Sequence, residues 1–165
     1  MPSMEKSREN KEKIRKWMIE IGYEFVTEKK DPRTNFVLEA AKKEKDKGVS
    51  FQIISPKSLD LITVGSTGKL TGSDASSFNA LEKKVILSIE YNMKRNALLT
   101  NLDFFMTIST DQIQTHISDD MYDDGLSKDR IYDIIKRILA FYEFMYYVFI
   151  EHGVGRPPQN DKDLV

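Results

Sequence analysis

The densest group of residues able to do chemistry in this chain is acidic: Asp119-Asp120-Met121-Tyr122-Asp123-Asp124-Gly125, with His116 three residues ahead of it. Carboxylates and an imidazole held together could ligate a divalent cation and activate water, so Asp119, Asp120, Asp123, Asp124 and His116 define one function class, a metal-assisted hydrolase. The spacing does not make a calcium loop. With Gly125 placed at the sixth position, Tyr122 falls where the third ligand belongs and Ile131 where a bidentate glutamate is required. A solvated turn before the last helix is the simpler expectation for these acids.

The other reactive patterns are weaker still. Gly65-Ser-Thr-Gly68-Lys69-Leu-Thr-Gly72 suggests a phosphate cradle, but Leu70 stands where a P-loop needs its second glycine and Thr67 where a dinucleotide fingerprint needs one. A short Gly-x-x-Gly loop of the nucleic-acid type joins two helices, whereas a strand precedes this one, so the segment is expected to be a flexible loop. The two histidines, His116 and His152, lie far apart in sequence. Neither Gly-x-Ser-x-Gly nor His-Glu-x-x-His occurs. The basic groups Lys11/Lys13/Arg15/Lys16 and Lys42/Lys43/Lys45/Lys47 alternate with acids and lack the interleaved aromatics that stack bases. No cofactor is implied.

Positioning any of these residues falls to the elements around them. The 165 residues are 40% hydrophobic and 31% charged, an ordinary globular mix of single-domain size. A net charge of −1 gives no basic excess for phosphate backbones, which argues against a nucleic-acid partner. The absence of cysteine excludes disulfides and thiol chemistry and fits a reducing compartment. The charged N-terminus has no signal-peptide core, and no apolar run reaches membrane-span length, so a cytoplasmic protein is expected.

Ile14, Trp17, Met18 and Ile21 form one helical stripe, stopped by Gly22. Short alternating runs follow. They begin with Tyr23 to Phe25, turn at Lys30 to Thr34, and continue over Asn35 to Ala40, a polar tip from Lys42 to Gly48, Phe51 to Ile54, and Leu59 to Val64 closed by Gly65. They predict an antiparallel meander. A helix is expected from about Ser76 to Leu98, with Phe78, Leu81, Val85 and Ile89 on one side. Leu87, Tyr91 and Leu98 form a second apolar side, as though the helix were sandwiched. Leu102 to Ile108 and Ile113 to Ser118 read as strands joined at Thr110 to Gln112. Ser127 caps a long final helix faced by Ile131, Ile134, Ile135, Ile138, Tyr142, Met145 and Phe149, ended by Gly153. The expected fold is α+β: a twisted antiparallel sheet with N-terminal, central and C-terminal helices in the order α-β-β-β(-β)-α-β-β-α. It forms one domain over residues 1–152, with a disordered polar tail over 153–165.

The final helix carries one further signal. Its opposite face begins polar, at Asp133, Lys136 and Arg137, and turns apolar at Phe144, Tyr147 and Val148. A helix apolar all round is covered all round, here by the first helix or by a second protein. Phe144, Tyr147 and Val148 are therefore candidates for a partner or dimer surface.

Several strings are similar to those of an uncharacterised archaeal family of small proteins: Ile14-Arg-Lys-Trp17-Met-Ile-Glu-Ile-Gly22-Tyr, Lys30-Asp-Pro32 with Asn35-Phe36, Ile54-Ser-Pro-Lys57, and Tyr122-Asp-Asp-Gly125-Leu-Ser-Lys-Asp-Arg130 before an aromatic-rich helix. The likeness spans roughly Lys13 to Phe149. It implies a fold like that of type III secretion chaperones, commonly dimeric and acting by binding other polypeptides, and it implies no catalytic residues. The Gly65 to Ser77 stretch is longer and more polar than that resemblance implies. The resulting expectation is a non-enzymatic, protein-binding or chaperone-like domain, homodimeric or bound to a protein partner; the alternative is the metal-assisted hydrolase.

Overall fold

The computed structural model describes residues 4–42 and 48–155. The expected polar tip, apart from Lys42 and Gly48, and the tail beyond Gly155 lie outside the described residues, as do Lys43, Lys45 and Lys47 of the second basic group. The elements run α1 (Met4–Glu20), β1 (Phe25–Lys29), β2 (Thr34–Ala41), β3 (Phe51–Pro56), β4 (Leu61–Thr71), α2 (Gly72–Asn79), α3 (Lys83–Leu99), β5 (Asp103–Ile108), β6 (Gln112–Tyr122) and α4 (Lys128–Glu151), with a 3₁₀ turn at Asp123–Gly125. The α+β class and the order of elements are as the sequence implies.

All six strands form one antiparallel sheet in the order β1-β2-β3-β4-β6-β5. Strand alternation sends Phe36, Leu38 and Ala40 of β2, Phe51 and Ile53 of β3, Ile62 and Val64 of β4, and Ile113, Ile117 and Met121 of β6 to one face. They join Ile14 and Met18 of α1, Phe78 of α2, Ile89 and Met93 of α3, and Ile131, Ile138 and Phe141 of α4 in a single buried cluster. The other face carries Gln52, Thr63, Thr67, Gln114 and His116, all half-buried; the helical residues of the core cluster lie on the first face.

The helix ends follow their local chemistry. Gly22 and Gly153 adopt φ of 99° and 75°, the left-handed conformation that stops α1 and α4. The Ser127 hydroxyl accepts from the Arg130 amide at 3.2 Å, capping α4. The start of α1, which has no apolar anchor, is held by polar ones: Lys6 Nζ pairs with Asp123 at 2.7 Å and the Asn10 amide donates to the same carboxylate.

Three expectations are corrected. The glycine-rich segment is no loop: β4 runs unbroken through Gly65 and Gly68 to Thr71, paired with β6 along its whole length. Both glycines are there for close approach. A Cβ on Gly68 would lie 2.8 Å from Thr115 Oγ1 and 2.9 Å from Tyr142 Cε1, and one on Gly65 would meet the Ile117 carbonyl oxygen at 3.1 Å. The central helix is two helices. The Asn79 amide at the end of α2 donates to the carbonyls of Ser109 and Thr110, tying that end to the β5–β6 turn. Glu82 (ψ 140°) then redirects the chain into α3. Finally, the second apolar side of α3 is not sandwiched. Leu87, Tyr91 and Leu98 face away from Ile89, Met93 and Ala97 and are exposed.

Candidate functional site

Asp119 and Asp120 are consecutive residues of β6, so their side chains leave opposite faces of the sheet. Asp119 points to the helical side, where Arg137 Nη2 meets it at 2.6 Å and Arg130 at 3.3 Å. Asp120 lies on the open face and accepts from the Thr63 hydroxyl at 2.5 Å. Asp123, past the end of the strand, is engaged by Lys6 and Asn10 of α1. His116 lies on the open face beside Thr67, with Nδ1 3.3 Å from its hydroxyl. His152, at the far end of α4, donates from Nδ1 to the Val148 carbonyl at 2.8 Å. Among the described residues no group of three or more His, Asp or Glu side chains stands close enough together to hold a metal ion. The acidic density in the sequence is spent on three separate jobs: a staple, a strand-to-strand bond and a helix anchor.

The staple is centred on Arg137, a residue sequence reasoning placed only on a polar face. Its guanidinium meets Asp119 and, at 3.0 Å, Asp133, and it donates to the carbonyls of Thr100 and Asn101 at 3.0 and 2.8 Å. Burial alone would lower its pKa; the bonds to Asp119 and Asp133 outweigh that and raise it, so the charge is fixed. One side chain thus ties α4 to β6 and to the turn from α3 into β5, where Asn101 sits at φ 51°. Charge-reading could pair Arg137 with Asp133 at i−4, but the long-range partners left no local signal.

Tyr142 of α4 lies over Gly68. Its hydroxyl donates to Ser66 Oγ at 3.2 Å, and burial raises its pKa against that bond. Beside it a cavity of about 420 Å³ is lined by Leu70, Ile113, Met145 and Phe149, with Thr115 and Tyr146 as polar edges.

The apolar end of α4 divides. Val148 is only 9% exposed, Phe144 is half-buried and packs on Phe141, and Tyr147 is 51% exposed. The neighbour on this side is α3, not the first helix: Asn92, Arg95, Asn96 and Leu99 share a shallow groove with Phe144, Val148 and Glu151. Of the three proposed surface residues, Tyr147 is the one that meets solvent most.

Among the described residues, the element with most exposed large apolar side chains is α3. Leu87, Tyr91, Leu98 and Leu99 are 55%, 66%, 76% and 74% exposed. α3 packs on β5, which forms one edge of the sheet; exposed Phe105 of that strand stands opposite His116 and so faces the open side of the sheet, away from α3. Exposed apolar groups concentrated on one element mark interaction surfaces more often than scattered ones do. Among the described residues no helix is long and apolar enough to cross a membrane.

The fold has a solved counterpart. A crystal structure of an uncharacterized protein from Methanothermobacter thermautotrophicus superposes with a TM-score of 0.73 at 21% identity, covering 88% of this chain and 99% of that one. No curated protein matches the chain. The family model described as "Uncharacterized conserved protein (DUF2299)" matches residues 10–149, most of the chain, and the protein accordingly belongs to the DUF2299 family.

Proposed function

We propose that this chain is a non-enzymatic, protein-binding domain with a chaperone-like role, working as a homodimer in the cytoplasm. The observation that carries the reading is the outward stripe of α3, Leu87, Tyr91 and Leu98, with Leu99 of the same helix also exposed. Nothing within the described chain covers it. Fully burying a large apolar side chain yields about 1.5–3 kcal/mol. Scaled by their exposure, Leu87, Tyr91, Leu98 and Leu99 offer about 4–8 kcal/mol per copy on this basis, or twice that for two copies. Association itself costs roughly 4–15 kcal/mol, so the dimer is expected to be concentration-dependent rather than permanent. Phe144 and Val148 share a groove with Leu99 at its edge, and Tyr147, on the same helix as these two, is exposed.

The hydrolase alternative has no support in the geometry, since Asp119, Asp120, Asp123 and His116 are dispersed over two sheet faces and a helix contact, and Asp124 lies exposed in the 3₁₀ turn. Charge balance and the polar but non-aromatic basic groups speak against nucleic acid as partner.

The test compares two variants by light scattering. Tyr91→Asp is expected to lower the associated mass to that of one chain while the circular dichroism spectrum stays native. Tyr147→Asp is expected to weaken association less. If Tyr91→Asp associates as the parent does, the α3 surface is not the contact and the reading fails.

A further inference from the structure

The residues of the α3 stripe are spaced so that the pattern reads the same in both directions. Leu87, Tyr91, Lys94 and Leu98 lie four, three and four residues apart on the side of the helix away from Ile89, Met93 and Ala97. Reversing the helix about a point between Asn92 and Met93 places leucine on leucine and tyrosine on lysine. A surface that is its own complement under a two-fold rotation is what an isologous contact requires.

We infer that the partner of α3 is α3 of a second copy, packed antiparallel. This deepens the proposed homodimer and rests on it. Leu87 of one copy meets Leu98 of the other at both ends of the contact. Tyr91 meets Lys94 of the second copy at the centre.

The charges agree with this arrangement. Lys94 Nζ already pairs with Glu90 of its own helix at 2.7 Å. In the antiparallel pair the same ammonium lies over the Tyr91 ring of the other copy, a cation–π contact, and next to that copy's Glu90. A parallel pair would stack Lys94 on Lys94 and waste both.

Because the chain has no cysteine, the register can be read by placing one thiol at a time. Leu87→Cys and Leu98→Cys, carrying different tags, are co-expressed and treated with a short thiol-to-thiol crosslinker; each is also treated alone. In the antiparallel register the two positions of unlike copies face each other. Like positions lie about 16 Å apart along the axis, at about 1.5 Å of rise per residue. The expected result is a crosslinked dimer carrying both tags, with at least tenfold less product from either variant alone. Self-crosslinking of Leu87→Cys would indicate a parallel pair and overturn the inference. A dimeric mass by light scattering with no crosslink in any sample would overturn the register while leaving the homodimer standing. A strictly monomeric mass would overturn both.

Discussion

Replacing Gly68 by alanine reverses the usual sign of a glycine-to-alanine change. At an unconstrained site, that change stabilises a protein by about 0.4–1 kcal/mol, because the unfolded chain loses freedom. At Gly68 the new methyl would lie 2.8 Å from Thr115 Oγ1 and 2.9 Å from the Tyr142 ring. The hydroxyl of Thr115 can rotate, but Tyr142 is packed on the strand and bonded to Ser66. Overpacking of this kind costs about 1–3 kcal/mol. Displacing the ring forfeits a hydrogen bond of about 1 kcal/mol. Net of the entropic gain, Gly68→Ala should lose about 1–3.5 kcal/mol, and each about 1 kcal/mol corresponds to roughly 2–4 °C of Tm at this size. Urea denaturation followed by circular dichroism measures it, with Gly125→Ala as control, since nothing lies within 4 Å of a Cβ there. In a Tyr142→Leu background the penalty should shrink, giving a coupling of about 1 kcal/mol. If Gly68→Ala is neutral or stabilising, the close packing of α4 on β4 is wrong.

Other outcomes follow from the same contacts. Arg137→Ala removes the bonds to Asp119, Asp133 and the α3–β5 turn at once and should cost about 2–3 kcal/mol, seen as a lower urea midpoint; Asp120→Asn, on the open face, should change it little. Calorimetric titration with magnesium, calcium and manganese should give no binding heat at millimolar ion, and a stoichiometric site abolished by Asp119→Asn would revive the hydrolase. Tyr23 and Tyr142 have pKa values raised by burial. Their contribution to stability is thus complete below about pH 10, the unfolded value, and is lost as pH rises through the folded values. Alkaline unfolding should therefore coincide with the ionisation of Tyr23 and Tyr142, the last step of the tyrosinate rise in the ultraviolet, rather than precede it.

Helix periodicity made α1 and α4 legible in the sequence, since their stripes run directly to Gly22 and Gly153 and Ser127 marks a cap. Strand alternation did the same for the meander. What was hidden depended on residues far apart in the chain. Gly65 and Gly68 read as loop punctuation because the reason for them, the Tyr142 ring and the neighbouring strand β6, lies dozens of residues downstream. Asp119 and Asp120 looked like a cluster because adjacency in sequence is separation across a sheet once β6 extends to Tyr122. The apolar residues of α3 were visible, but whether Leu87, Tyr91 and Leu98 faced another element or solvent depended on where α4 docks. That position is set by the Arg137 staple and by Phe149 packing on Phe78, contacts no local pattern encodes.

Molar mass by light scattering during gel filtration, over a dilution series of the unmodified chain, tests the central claim most directly. A mass near 38 kDa, twice the 19.1 kDa of one chain, that falls toward the single-chain value on dilution is the predicted result. A mass of one chain at every concentration would contradict the homodimer and leave the outer face of α3 without the partner assigned to it.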